Sequence, residues 1–98
     1  MAFVILTSKH GEFRTEVGTD LTPMETYDYT CFGRPKARFI IARLDAPTRV
    51  RIVDETPPRV VNLIPSKFLP RFESVEKARR ELEELAHAGG EFVLKRVE

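Results

Sequence analysis

The chain is poor in the side chains that usually announce chemistry: one cysteine, two histidines and no tryptophan in 98 residues. A lone Cys31 cannot close an intrachain disulfide, which fits a reducing compartment, and the cytoplasm is the expected location. It also cannot supply the four thiolates of an iron–sulfur cluster. His10 and His87 are too far apart in sequence to form a compact zinc-ligand spacing, so no metal and no cofactor is expected. No apolar run approaches the roughly 18 residues of a membrane-spanning helix. The apolar stretch from Ala2 to Leu6 is shorter than the roughly 7 to 15 residues of a signal-peptide core and has no basic residue before it. No membrane partner is expected.

Charge of one sign is lacking as well. Sixteen Lys and Arg against fifteen Asp and Glu leave a net charge of +1, so the molecule as a whole sets up no strong field toward nucleic acid or an acidic surface. What is present suits a folded domain. Hydrophobic residues make up 42% of the chain, with seven Phe to fill a core, and 32% of residues are charged. This length fits one compact domain over residues 1–98.

Hydrophobic patterning is mostly strand-like. Ala2 to Ser8 and Glu12 to Val17 flank Lys9-His10-Gly11 and read as a hairpin. Gly18 to Met24, with Pro23, reads as a loop. Three further runs, Glu25 to Phe32, Ala37 to Leu44 and Arg49 to Glu55, are separated by Gly33-Arg34-Pro35-Lys36 and Asp45-Ala46-Pro47-Thr48 and predict an antiparallel meander. Pro57 and Pro58 leave the ladder, Val60 to Ile64 forms a short strand, and Pro65 to Pro70 stiffens the connector that follows.

Helical periodicity belongs to Ser74–Ala88. Ser74 is a candidate N-cap, Val75, Ala78, Leu82, Leu85 and Ala86 form an apolar stripe, and Gly89-Gly90 supplies the stop. Lys77 with Glu81 and Arg79 with Glu83 are expected as ion pairs on the outer face. Glu91 to Val97 returns as a strand. The fold class is therefore α+β: a mostly antiparallel sheet of five to seven strands, one C-terminal helix on one face and a final strand after it.

Candidate sites follow from surfaces. The strand from Ala37 to Leu44 is apolar on both sides, so the face away from the helix, with Phe39 and Ile41, must be covered by a curled sheet or by another chain. The stretch from Asp54 to Lys67 is stiffened by three prolines and studded with Asp54, Glu55, Arg59, Asn62, Ser66 and Lys67, a rigid polar edge that loses little entropy on binding. Its bland alternative is a connector whose prolines block aggregation.

A second patch gathers Arg34, Lys36, Arg38, Arg43, Arg49 and Arg51 and offers phosphate contacts. Phe39 is the single ring inside it, whereas single-strand binders use several. Catalytic groupings are lacking: Asp54 and Glu55 point to opposite sides of a strand, as does Asp28 relative to Tyr27 and Tyr29. The expected function is that of a small non-catalytic binding or accessory protein, a regulator or small subunit of a larger enzyme, contacting a protein partner or a second copy of itself. Nucleic-acid binding through the hairpin from Arg34 to Arg51 is the first alternative, and a small-molecule binder or enzyme with a pocket between helix and sheet is the second.

Overall fold

A computed structural model describes residues 1–87 and 92–97, with His87 and Phe92 placed by their backbone. The element order is β1 (Ala2–Lys9), β2 (Phe13–Glu16), β3 (Leu21–Cys31), β4 (Arg34–Leu44), β5 (Arg49–Asp54), β6 (Val61–Pro65), a 3-10 turn (Ser66–Phe68), α1 (Val75–His87) and β7 (Phe92–Arg96). One seven-stranded antiparallel sheet results, in the order β6-β5-β2-β1-β4-β3-β7. The helix packs on it and the last strand follows, which is the α+β architecture that the patterning predicts. The Gly89-Gly90 stop, Ala88 and Glu91 lie outside the described residues.

The centre of the sheet is built by its most apolar strands. β1 pairs with β4 along its whole length, from Ala2 opposite Leu44 to Lys9 opposite Ala37. β3 pairs with the other side of β4 and carries a register shift between Pro23 and Glu25. By sequence alone Pro23 reads as a loop residue. It is instead accommodated within the strand at this irregularity, where a missing N–H costs least. The turn from β3 to β4 is tighter than the predicted four residues. Phe32 and Gly33 form it, both with positive φ (52° and 76°), the geometry of a two-residue hairpin turn that matches strand twist. Arg34 and Pro35 consequently belong to β4.

Two apolar clusters lie on opposite faces. Beneath the helix, Phe3, Tyr27, Phe39 and Ile41 meet Ala78 and Leu82. Ser74 caps the helix, its Oγ accepting from the Lys77 N–H at 3.1 Å. Leu85 stays largely exposed although it continues the predicted stripe. On the far face, Val4, Leu6, Leu21, Ala42 and Leu44 join Val50 of β5, with Ile52 and Leu69 packed against them. That face is thus covered by the chain's own β5 and by Leu69 at the end of the 3-10 turn.

The curl has a local cause. β1 and β2 share a single ladder pair, Lys9 opposite Phe13. Beyond it side chains replace the ladder: the Thr15 N–H donates to Ser8 Oγ at 2.8 Å, and the Thr15 hydroxyl donates to the Thr7 carbonyl. β2 then departs to pair with β5. At the other end of β1 the vacated edge is taken by Phe72, which exchanges both backbone hydrogen bonds with Phe3 at 2.9 and 2.8 Å.

Candidate partner-binding edge

β6 is the outermost strand on one side of the sheet, and its pairing phase determines what it presents. The Asp54 N–H donates to the Val60 carbonyl at 3.0 Å and the Ser66 N–H to the Thr48 carbonyl at 2.8 Å. With Val50 opposite Ile64 and Ile52 opposite Asn62, the even-numbered residues aim their backbone groups at β5. Alternation then turns the N–H and C=O of Val61 and Leu63 outward, along with the carbonyl of Pro65, which has no N–H to offer. The open edge is therefore short. It is bounded by Pro65 at one end and by Pro57 and Pro58 at the other.

Its side chains are unusually apolar for a free edge. Leu63 is 54% exposed and Val61 43%, with Val60 and Phe68 exposed beside them. Both Val61 and Leu63 share the outer face with the residues opposite them on β5, Val53 and Arg51. Arg49 lies opposite Pro65 on the same face. Arg59 precedes the strand and Lys67 follows it, the latter with its ammonium 5.3 Å from the centre of the Phe68 ring. The result is an apolar pair framed by cations.

Of the residues expected to carry partner contact, Arg59, Asn62, Glu55 and Lys67 are exposed and Asp54 is half-buried. Ser66 is not available, being only 2% exposed. Its Oγ accepts from the Thr48 N–H at 3.1 Å, so it locks the β4–β5 link to the end of β6. Phe39 and Ile41 need a larger correction. They are 6% and 0% exposed and face the helix, because Phe39 pairs with Thr7 and Ile41 with Ile5 on the odd-numbered side of β1 that also carries Phe3. The face away from the helix holds Ile40, Ala42 and Leu44 instead.

The six cations of the nucleic-acid reading do not form one patch. Arg43 lies across from Phe3, on the helix side of the sheet, and is bound to Asp45 at 2.6 Å. Arg38 forks onto Asp28 at 2.8 and 3.3 Å, and Arg51 meets Glu16 at 3.1 Å. Arg34 and Lys36 sit near the β3–β4 turn, whereas Arg49 belongs to β5 by the β6 edge. Three of the six are thus already neutralised by neighbouring carboxylates, and the rest are divided between two places.

A cleft of about 490 Å³ opens where β1, β2, β3 and β4 come together, lined in part by Ser8, His10, Arg14, Asp28, Arg38 and Glu55. Its best-fixed charges, Arg38 and Asp28, satisfy each other. Among the described residues no group of three or more His, Cys, Asp or Glu is placed to hold a metal ion, and no helix is long and apolar enough to cross a membrane.

Sequence reasoning missed one ionic network. Arg79 does not pair with Glu83 on the outside of the helix. It reaches the sheet, with Nε 3.0 Å from Glu25 Oε1 and Nη2 2.5 Å from Oε2. The Tyr27 hydroxyl donates to Glu25 Oε1 at 2.6 Å, and Arg96 of β7 lies 3.5 Å from the same carboxylate. The Arg79 bonds hold the Glu25 carboxyl below its ordinary range in spite of burial, while burial pushes the Tyr27 hydroxyl up. Lys77 likewise pairs with Glu73 rather than Glu81, at 2.7 Å. The available signal was Glu25 and Tyr27 two residues apart on one strand face, but only the fold brings Arg79 to them. Every buried side-chain polar atom described has a partner, so this network ties helix, β3 and β7 together and leaves no idle acid or base.

The chain matches no protein-family model, no curated protein and no solved structure. Function is therefore read from its own geometry.

Proposed function

We propose that this chain is a small non-catalytic protein-binding domain, a regulator or small subunit of a larger assembly, that docks its partner along β6 and the connector from Asp54 to Lys67. The observation that supports this reading is the combination on β6 of outward backbone groups with exposed Val61 and Leu63. Strand addition to such an edge draws affinity from main-chain hydrogen bonds and specificity from alternate side chains. The prolines at both ends restrict the edge to a segment too short for open-ended sheet growth. A single cysteine fits work in the reducing cytoplasm.

The test is retrieval from native cells after nuclease treatment, comparing the tagged chain with a Val61→Lys, Leu63→Lys variant. A stoichiometric protein that is retained by the parent and lost by the variant, with Tm unchanged, is the expected result. Retention by the variant removes β6 from the interface. Recovery of nucleic acid from an undigested half of the same lysate, with co-purifying proteins lost on digestion, puts nucleic-acid binding by Arg34, Lys36 and Arg49, unpaired among the described residues, first.

A further inference from the structure

We infer that the partner segment seated on β6 is an extended, antiparallel strand with an acidic residue at each end and β-branched residues at its centre. This rests on the docking role proposed above and names the chemistry of the occupant.

The centre is dictated by β6 itself. Residues directly opposite Val61 and Leu63 exchange both backbone hydrogen bonds with them and place their side chains on the same outer face. Apolar β-branched side chains there cover the exposed Val61 and Leu63. The residue between them lies opposite Asn62 and faces the other way, so a polar side chain suits it.

Charge fixes the ends. Arg49 lies on the outer face behind Pro65, Arg59 is exposed in the chain just before Val61 at the other limit of the open edge, and neither has a salt bridge among the described residues. Glu55, which the β5–β6 register would set opposite Arg59, instead lines the polar cleft with His10 and Arg14. A second copy is the poorer occupant on these grounds. Two-fold pairing of Val61 with Leu63 of another copy sets Arg59 opposite that copy's Pro65 and brings it toward that copy's Arg49, once at each end. Acidic residues at those two positions of a partner strand convert the like-charge approach into attraction.

The inference is tested on the full chain, labelled with nitrogen-15, by titration with blocked synthetic peptides at low salt. The first is Glu-Thr-Val-Thr-Val-Thr-Glu, which sets Glu opposite Pro65 and Arg59 and Val opposite Leu63 and Val61. The second has Lys at both ends, and the third has Pro in place of both Val. The acidic-ended peptide is expected to shift the Val61 and Leu63 amides and to bind about tenfold tighter than the lysine-ended one. High salt should erase that difference, and Arg49→Glu with Arg59→Glu should reverse it.

Equal binding of the acidic-ended and lysine-ended peptides overturns the acidic assignment while leaving docking at β6 intact. If no peptide moves Val61 or Leu63, strand addition at β6 fails and this inference fails with it. Shifts at those amides that follow protein concentration and ignore peptide make a second copy the occupant and also overturn it.

Discussion

Glu25 and Arg79 are 54 residues apart in the chain and meet at 2.5 Å, the carboxylate with 8% of its side chain exposed and the guanidinium with 33%. This asymmetry decides what each substitution does. Removal of Arg79 strands a buried carboxylate, whereas removal of Glu25 leaves a guanidinium that already reaches water. Arg79→Met is expected to lower stability more than Glu25→Gln, although the remaining Arg96 softens the loss. Urea denaturation at neutral pH measures both, and an order reversed from this one contradicts the assignment of burial.

The same pair sets a pH dependence. The carboxyl of Glu25 titrates lower in the folded protein than in the unfolded chain, chiefly because Arg79 binds its ionised form. Its stabilisation is fully present above the unfolded value near 4.3 and is lost as pH falls through the lower folded value. Tyr27 acts at the opposite end: its raised pKa gives stability that is present below about 10 and is lost as pH rises beyond it. Thermal scans from neutral to acid pH should show a steeper loss for the parent than for Glu25→Gln. Parallel curves would mean that other carboxylates govern acid unfolding.

Phe32 occupies a left-handed turn position, φ 52°, with its ring exposed to solvent. A bulky residue is disfavoured there, while Asn before Gly is preferred in this turn. Phe32→Asn is expected to raise stability by about 0.5–1 kcal/mol, read as a higher urea midpoint with an unchanged slope. A fall in the midpoint would show that the ring contributes packing.

Thr15 stitches β2 to β1 where the ladder lapses, through its hydroxyl to Thr7 and its N–H to Ser8. Thr15→Val keeps the shape and leaves the Thr7 carbonyl without that donor, at a cost of about 1–2 kcal/mol. Hydrogen exchange should show the amides of β2 losing protection before those of β4. Uniform loss of protection would argue against a local seam.

Much of this arrangement was legible in the chain. β1 and β4 announced themselves as apolar runs, and the helix as a stripe with Ser74 at its start, because burial on one or both sides imposes those patterns directly. The stretch that supplies β6 was also visible as proline-stiffened and polar. What stayed hidden depends on contacts between distant segments. Pro23 reads as a break until a register shift accommodates it. Phe39 and Ile41 alternate correctly, but alternation alone does not say which side the helix takes. Arg79 sits at a position that local spacing assigns to Glu83, and Val61 and Leu63 look like ordinary core residues until the strand order puts them at the rim. The curl itself follows from two hydroxyl side chains, Ser8 and Thr15, substituting for backbone pairs, a choice with no distinct sequence signature.

The bridge between Phe3 and Phe72 also orders events in time. Ribosomes release Phe3 long before Phe72, so the first strand emerges with one flank empty and keeps it so until more than two thirds of the residues known here have been made. Through that interval the exposed flank is a place for a chaperone to hold or for a neighbouring nascent chain to pair wrongly. Arrival of Phe72 closes it just ahead of the helix, and β3 waits longer still for its second neighbour, β7.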